Sequence, residues 1–102
     1  MLELRPSCEH CNKPLPPAST DARICSFECT FCSDCVERVL HGVCPNCGGG
    51  FVARPVRPAR DWRLGNHLGR YPASTRIIFK PVDTATQAAL VAQVGQLPPE
   101  KL

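Results

Sequence analysis

Eight cysteines carry whatever chemistry this sequence can do, and all of them lie in the first half of its 102 residues. Cys8 and Cys11, Cys32 and Cys35, and Cys44 and Cys47 form C-x2-C pairs, while Cys25 and Cys29 make a fourth pair at the wider C-x3-C spacing. A C-x2-C turn brings two sulfurs close enough to share one ion, and Zn²⁺ takes four such ligands in a tetrahedron. Four pairs therefore suffice for two sites of four cysteines each. Such sites are closed, with no position left for water or substrate, so their role is structural. Iron can occupy the same geometry. Spacing leaves the pairing open. Sequential sites would join Cys8 and Cys11 with Cys25 and Cys29, and Cys32 and Cys35 with Cys44 and Cys47. Crossed sites would join Cys8 and Cys11 with Cys32 and Cys35, and Cys25 and Cys29 with Cys44 and Cys47. A shifted register using Cys29 with Cys32 would strand Cys25 and Cys35 with nine residues between them, a poor knuckle.

Disulfides are the competing use of eight thiols. The start, "MLELRPSCEH", carries Glu3, Arg5 and Glu9 and has no apolar core of the signal-peptide kind. No apolar run approaches the ~18 residues that a membrane span needs. The expectation is a cytoplasmic protein without membrane association, where thiols stay reduced and metal binding is the default. The chain also needs the metal. One Trp, one Tyr and four Phe, diluted by eleven Pro and seven Gly, build only a small core, and domains this small lean on metals or disulfides.

Metal ligation changes the charge. The formal net charge of +3 counts every cysteine as neutral. Eight thiolates and two Zn²⁺ ions together subtract four charges and leave the loaded chain at −1. Overall basicity therefore gives no argument for nucleic acid. The distribution is uneven, however: residues 1–50 hold four basic and six acidic side chains, residues 51–102 eight basic and three acidic.

The elements that must position the cysteines are short. Residues 23–31 read as irregular strands or turns around Ile24, Phe27 and Phe31. "SDCVERVLHG" is the first helix, with Asp34 and Glu37 as a capping box, Val36, Val39 and Leu40 on one face and Gly42 at C′. "CGGGFVARP" marks a boundary, giving a zinc domain over 1–53, an extended basic arm over 54–83 and a C-terminal helix over 84–97. Pro55 and Pro58 favour a polyproline path on which Arg54, Arg57, Arg60 and Arg63, spaced by three, share a face. "LGNHLGRYPAST" is loop and "TRIIF" (75–79) a short strand. The last helix has Thr84 and Gln87 as a capping box, Leu90, Val94 and Leu97 along one side, and Gly95 with Pro98 and Pro99 as its stop. At this length it is marginal alone and must dock or self-associate.

The order of eight ligands resembles a RING finger over residues 8–47. Cys29 stands where that family usually has His. Phe31 before Cys32, the helix after Cys35 and "CPNC" at 44–47 fit its pattern. The resemblance implies a small metal-dominated α+β fold with a cross-brace: Cys8, Cys11, Cys32 and Cys35 in one zinc site, Cys25, Cys29, Cys44 and Cys47 in the other. The whole chain, through "MLELRPSCEHCNKPLPP", "ARICSFECTFCSDCVE" and "CPNCGGGFVARPVRP", also resembles a family of small bacterial cysteine-rich proteins catalogued as a domain of unknown function. That second resemblance implies a bacterial, RING-like zinc protein and no activity.

Function follows by elimination. RING ligases present an aliphatic residue after the first ligand, an apolar residue on the central helix and a basic residue after the last ligand. Glu9, the Val39/Leu40 region and Gly48 stand there, and two of the three depart. The closed sites consume every cysteine, and His10, His41 and His67 form no catalytic arrangement with a nucleophile or paired carboxylates. The expectation is a non-enzymatic protein-interaction module with an unidentified partner and two structural Zn²⁺ ions. Self-association through the C-terminal helix is a second use of that element. The alternative is nucleic-acid binding by residues 54–80, where Trp62 and Tyr71 could stack on bases. Against it stands an internal use: the arginines fold back on the core and Trp62 plugs it.

Overall fold

The computed structural model describes residues 1–102. Its sheet has three very short antiparallel strands in the order β2-β1-β3: β1 is Ala22–Ile24, β2 Thr30–Cys32 and β3 Val52–Ala53. Ala22 pairs with Cys32 and Ile24 with Thr30 on one side of β1, and Ile24 with Val52 on the other. Ala22 and Ile24 point inward and Arg23 outward, the alternation that a pleated strand imposes. The second cysteine pair is itself the hairpin between β1 and β2. Glu28 N–H donates to the Cys25 carbonyl at 3.0 Å and Cys25 N–H to the Cys29 carbonyl at 3.2 Å. Glu28 takes a left-handed φ of 65° to close it.

Helix α1, Ser33–Arg38, starts where β2 ends, with Cys32 as its N-cap and no side-chain capping bond. The expected Asp34–Glu37 capping box is therefore absent. The strand runs straight into the helix, and Ser33 instead turns its hydroxyl to the Asp21 carboxylate. The helix is also shorter than expected. Val39 and Leu40 both direct their N–H groups to the Cys35 carbonyl, and the chain reverses through two left-handed residues, His41 (φ 51°) and Gly42 (φ 76°).

The buried cluster has ten members, and six of them are cysteines: Cys8, Cys25, Cys29, Cys32, Cys35 and Cys44, beside Leu15, Ala22, Phe31 and Leu40. Sulfur rather than hydrocarbon fills the centre. Phe31 closes it, edge-on to Phe51 with ring centroids 5.6 Å apart.

Beyond β3 the chain is held by polar contacts. Arg54 is 3% exposed and donates to the carbonyls of Arg5, Leu15 and Pro16. Arg57 donates to the carbonyls of Tyr71 and Leu2. The four arginines thus share no open face: two turn inward, while Arg60 and Arg63 are exposed. Two further expectations fail. Residues 75–79 form no strand; Ile77 and Phe79 are exposed, and the segment is held by Ser74 N–H to the Leu4 carbonyl, Lys80 N–H to the Glu9 carbonyl and the Arg76 side chain on Glu3. Apolar β-branched residues without a neighbouring edge make no ladder. Trp62 is 69% exposed and plugs nothing, since sulfur and Phe31 already fill the centre.

Helix α2 spans Thr84–Val94 and stops at Gly95 (φ 63°), as the sequence suggests, so Leu97 lies outside it and is exposed. Its N-cap is Asp83, which accepts from the Thr86 N–H and hydroxyl, in place of the Thr84–Gln87 box. Gln87 is the helix's one buried residue. Its amide donates to the Leu40 carbonyl at 3.0 Å and the Val43 carbonyl at 2.9 Å, in the turn that follows α1. Leu90 and Val94, expected to carry the docking, are half-buried. No helix is long and apolar enough to cross a membrane.

Two substitutions test this polar scaffold. Arg54→Met should cost about 3 kcal/mol in urea unfolding of the metal-loaded chain, because three carbonyls lose a charged donor; a loss under about 0.5 kcal/mol would show those bonds contribute nothing net. Gln87→Leu should cost about 2 kcal/mol and speed hydrogen exchange across α2, with metal content unchanged.

Candidate metal centres

The first and last cysteine knuckles are built by the same local backbone bonds. In the first, Cys8 N–H donates to the Lys13 carbonyl (2.9 Å) and Asn12 N–H to the Cys8 carbonyl (3.0 Å). In the last, Cys44 N–H donates to the Gly49 carbonyl (2.8 Å) and Gly48 N–H to the Cys44 carbonyl (2.8 Å). The residue after the second cysteine is left-handed in both, Asn12 at φ 63° and Gly48 at φ 79°. Asn and Gly are the residues that tolerate this best, so the positions after Cys11 and Cys47 are part of each knuckle. The pair Cys32 and Cys35 is positioned differently, at the N-cap and first turn of α1.

The sulfurs of Cys8, Cys11, Cys32 and Cys35 all lie within 4.8 Å of one another. The first pair therefore gathers with the third. A second group unites Cys25, Cys44 and Cys47 within the same limit. Cys29 stands outside that group of three. It is nonetheless buried, and its thiol interacts with Cys25 and with the Asn46 side chain. Both groups could hold a metal ion. A tetrahedron with metal–sulfur bonds of ~2.3 Å has sulfur–sulfur edges of ~3.8 Å, and the Cys11 and Cys32 sulfurs are 3.8 Å apart. All eight cysteines are free thiols.

The electrostatics also fit a cation. Burial pushes the Cys35 thiol far up, helped by the neighbouring thiols of Cys32, Cys8 and Cys11. Burial does the same to Cys44 against the pull of the Asn46 and Cys47 N–H groups. Crowded thiols cannot all ionise together without a compensating charge, and a metal ion supplies one. Backbone donors are in place for the thiolate form: Phe27 N–H points to the Cys25 sulfur at 3.3 Å and Gly49 N–H to the Cys47 sulfur at 3.4 Å. Cys11 and Cys47, the second cysteine of each matching knuckle, are exposed while the other six are buried.

The residue that binds the two groups together is Glu9, which the sequence marks only as standing where a RING ligase has an aliphatic residue. It is 2% exposed. One carboxylate oxygen accepts from the Thr30 N–H at 2.6 Å and from Arg5 at 3.0 Å, while the other meets the Asn46 amide at 3.4 Å. Glu9 thus links the first knuckle to the start of β2 and to the last knuckle. No spacing signal announces it, because Thr30 and Asn46 are distant in sequence. The histidines stay outside both groups. His10 Nδ1 accepts from Val82 N–H at 2.9 Å, His67 Nδ1 from Gly69 N–H at 3.2 Å, and His41 is exposed.

A small α+β chain with seven of its eight free thiols gathered in two groups belongs among proteins organised around cysteine clusters able to bind metal. Residues 1–57 match the family described as protein of unknown function, DUF1272, and the chain belongs to that family. An uncharacterized protein of Rhizobium meliloti (strain 1021) is 55% identical over 89 residues, which cover 87% of this chain and 99% of that one. No solved structure matches the chain.

The groupings make a specific prediction. Cys25→Ser should remove metal from the group containing Cys44 and Cys47 and open those two thiols to alkylation, with Cys32 and Cys35 still protected. Exposure of Cys8 and Cys11 instead, with Cys44 and Cys47 protected, would require the sequential pairing.

Proposed function

We propose that this protein is a RING-like zinc module with two structural Zn²⁺ ions in a cross-brace, and that it works by binding another protein in the bacterial cytoplasm. The observation that carries the zinc reading is the convergence of Cys8, Cys11, Cys32 and Cys35 within 4.8 Å. A closed set of four thiolates suits Zn²⁺ and leaves no site for substrate. Cys29 completes the second set with Cys25, Cys44 and Cys47. Eight unlinked thiols suit a reducing compartment. When bound, the zinc supplies cross-links and charge compensation; the chain's own residues orient the sulfurs and exclude water.

Catalysis finds no support in the arrangement. Glu9, at the position where a RING ligase would contact its conjugating enzyme, is buried and bonded on both carboxylate oxygens. Leu40 is fully buried. The nucleic-acid reading loses the row of cations it rested on, because Arg54 and Arg57 serve backbone carbonyls and Arg76 pairs with Glu3. A protein partner is the reading that remains, and exposed apolar side chains at Trp62, Leu64, Ile77 and Phe79 favour it.

The purified chain should carry two zinc ions, and a strong chelator should abolish the circular dichroism of residues 8–47, since metal binding and folding are one process in such domains. One ion per chain, or an unchanged spectrum in excess chelator, would refute the two-site reading. A gel-shift signal that weakens steeply with salt would favour nucleic acid over protein.

A further inference from the structure

Residues 58–71 form a closed loop whose only unexplained feature is what it displays. Arg57 staples its base, donating to the Tyr71 carbonyl at 2.7 Å and to the Leu2 carbonyl at 2.8 Å. Leu68 N–H bonds the Pro58 carbonyl at 2.8 Å. Inside, the Asp61 carboxylate accepts from Gly65 N–H at 2.8 Å, and His67 Nδ1 and its carbonyl take the N–H groups of Gly69 and of Arg70 and Tyr71. Arg70 lies over the Tyr71 ring, 5.3 Å from its centroid. It packs so close to Gly65 (φ 78°) that a Cβ there would sit 2.9 Å from its Nη1. A loop bonded this thoroughly is rigid, and compact loops with joined ends are frequently functional.

What it holds out is apolar. Trp62 is 69% exposed and Leu64 83% exposed. Leu64 adopts a left-handed φ of 55°, a conformation that costs a leucine roughly 1 kcal/mol. No packing within the chain offsets this. Arg60 and Arg63, on either side of Trp62, have no ion pair or side-chain hydrogen bond, and Asp61 between them is committed to Gly65. A pre-ordered Trp with an aliphatic neighbour and flanking arginines is the composition of an interface anchor.

We infer that the 58–71 loop is the docking knob of this protein, seating Trp62 and Leu64 in an apolar cleft of a partner protein whose rim is acidic and faces Arg60 and Arg63. This deepens the protein-binding reading above and rests on it. The unpaired arginines fix the sign of the partner's charge. Leu64 argues for a protein over single-stranded nucleic acid, because an exposed leucine has no stacking partner among bases, and the two arginines that precede the loop, Arg54 and Arg57, are turned inward.

The test uses the fact that Trp62 is the only tryptophan. The zinc-loaded full chain is panned against a random peptide library of about 12 residues, long enough to fill one anchor cleft; the enriched peptides are fluorescently labelled, their affinities for the parent chain and every variant are read from peptide anisotropy, and Trp emission is followed in the chains that keep Trp62. An oligo-dT of similar length is titrated in parallel. Enriched peptides should combine Asp or Glu with apolar residues, and shift the emission to the blue. They should bind Trp62→Ala or Leu64→Ala at least about tenfold more weakly and lose affinity for the Arg60→Glu, Arg63→Glu double variant. Zinc content and the unfolding midpoint of each variant serve as the folding control, and both should be unchanged for changes at an exposed tip. Peptides that bind the Trp62 and Leu64 variants as tightly as the parent chain would overturn the knob and leave protein binding standing. Quenching by oligo-dT with no enriched peptide would overturn both. No enrichment and no quenching would also overturn the knob.

Discussion

The gathering of cysteine sulfurs at the centre is the constraint on which the rest depends. Strands of three, three and two residues and a six-residue helix cannot bury enough carbon to hold together. Six of the ten residues in the buried cluster are cysteines, and their sulfurs repel one another as thiolates while resisting ionisation as buried thiols. A cation bound there would relieve both costs. With ions bound, every other feature could be small, because they would carry the cross-linking that apolar packing supplies in a larger domain.

This explains which parts of the structure are legible in the sequence. The knuckles are, because a C-x2-C turn followed by Asn12 or Gly48 is a local arrangement closed by bonds within six residues. The stop at Gly95 is legible for the same reason. The gathering of the first pair with the third is not fixed by spacing, since either pairing can be closed by the intervening chain; a family likeness pointed to it. Glu9 and Gln87 were invisible in their roles. Each serves distant groups: Glu9 bonds Thr30 and Asn46, Gln87 the last carbonyls beyond α1. A periodicity argument assigns the docking face of a helix to Leu90 and Val94 because it weighs apolar area. Here the receiving surface offers open carbonyls, and a buried polar acceptor is costly until a donor reaches it.

The basic arm shows the same limit of composition. Counting charge from 51 to 80 suggests a cationic surface, yet an arginine's role depends on what lies opposite. Arg54 is buried without a carboxylate and its charge is disfavoured by desolvation. It is tolerated because its Nη groups meet three carbonyls, which compensate as dipoles. Its Nε remains without a partner. The arrangement is therefore a fastener chosen for geometry, with several donors on one planar group.

Those fasteners converge on one place. The carbonyls of Leu2, Leu4, Arg5, Glu9, Leu15 and Pro16 all receive donors from residues 54–80. Glu3 joins them from its side chain: Arg76 foremost, with Arg5 and Ser74, holds its carboxyl down to about 2. The first sixteen residues, which contain the first knuckle, are thus the surface on which the second half of the chain is laid. If the first cluster holds a metal ion, its loss would loosen not only the knuckle but the seat of the arm. The same seating has a consequence at the 58–71 loop. With Arg57 fixed to Leu2 and Tyr71, the loop's ends cannot separate, so the entropy of ordering it is already met in the free protein. Trp62 is held out by a base that is anchored through the N-terminal segment to the sulfur cluster, which places an exposed loop and the buried centre of the molecule in one mechanical unit.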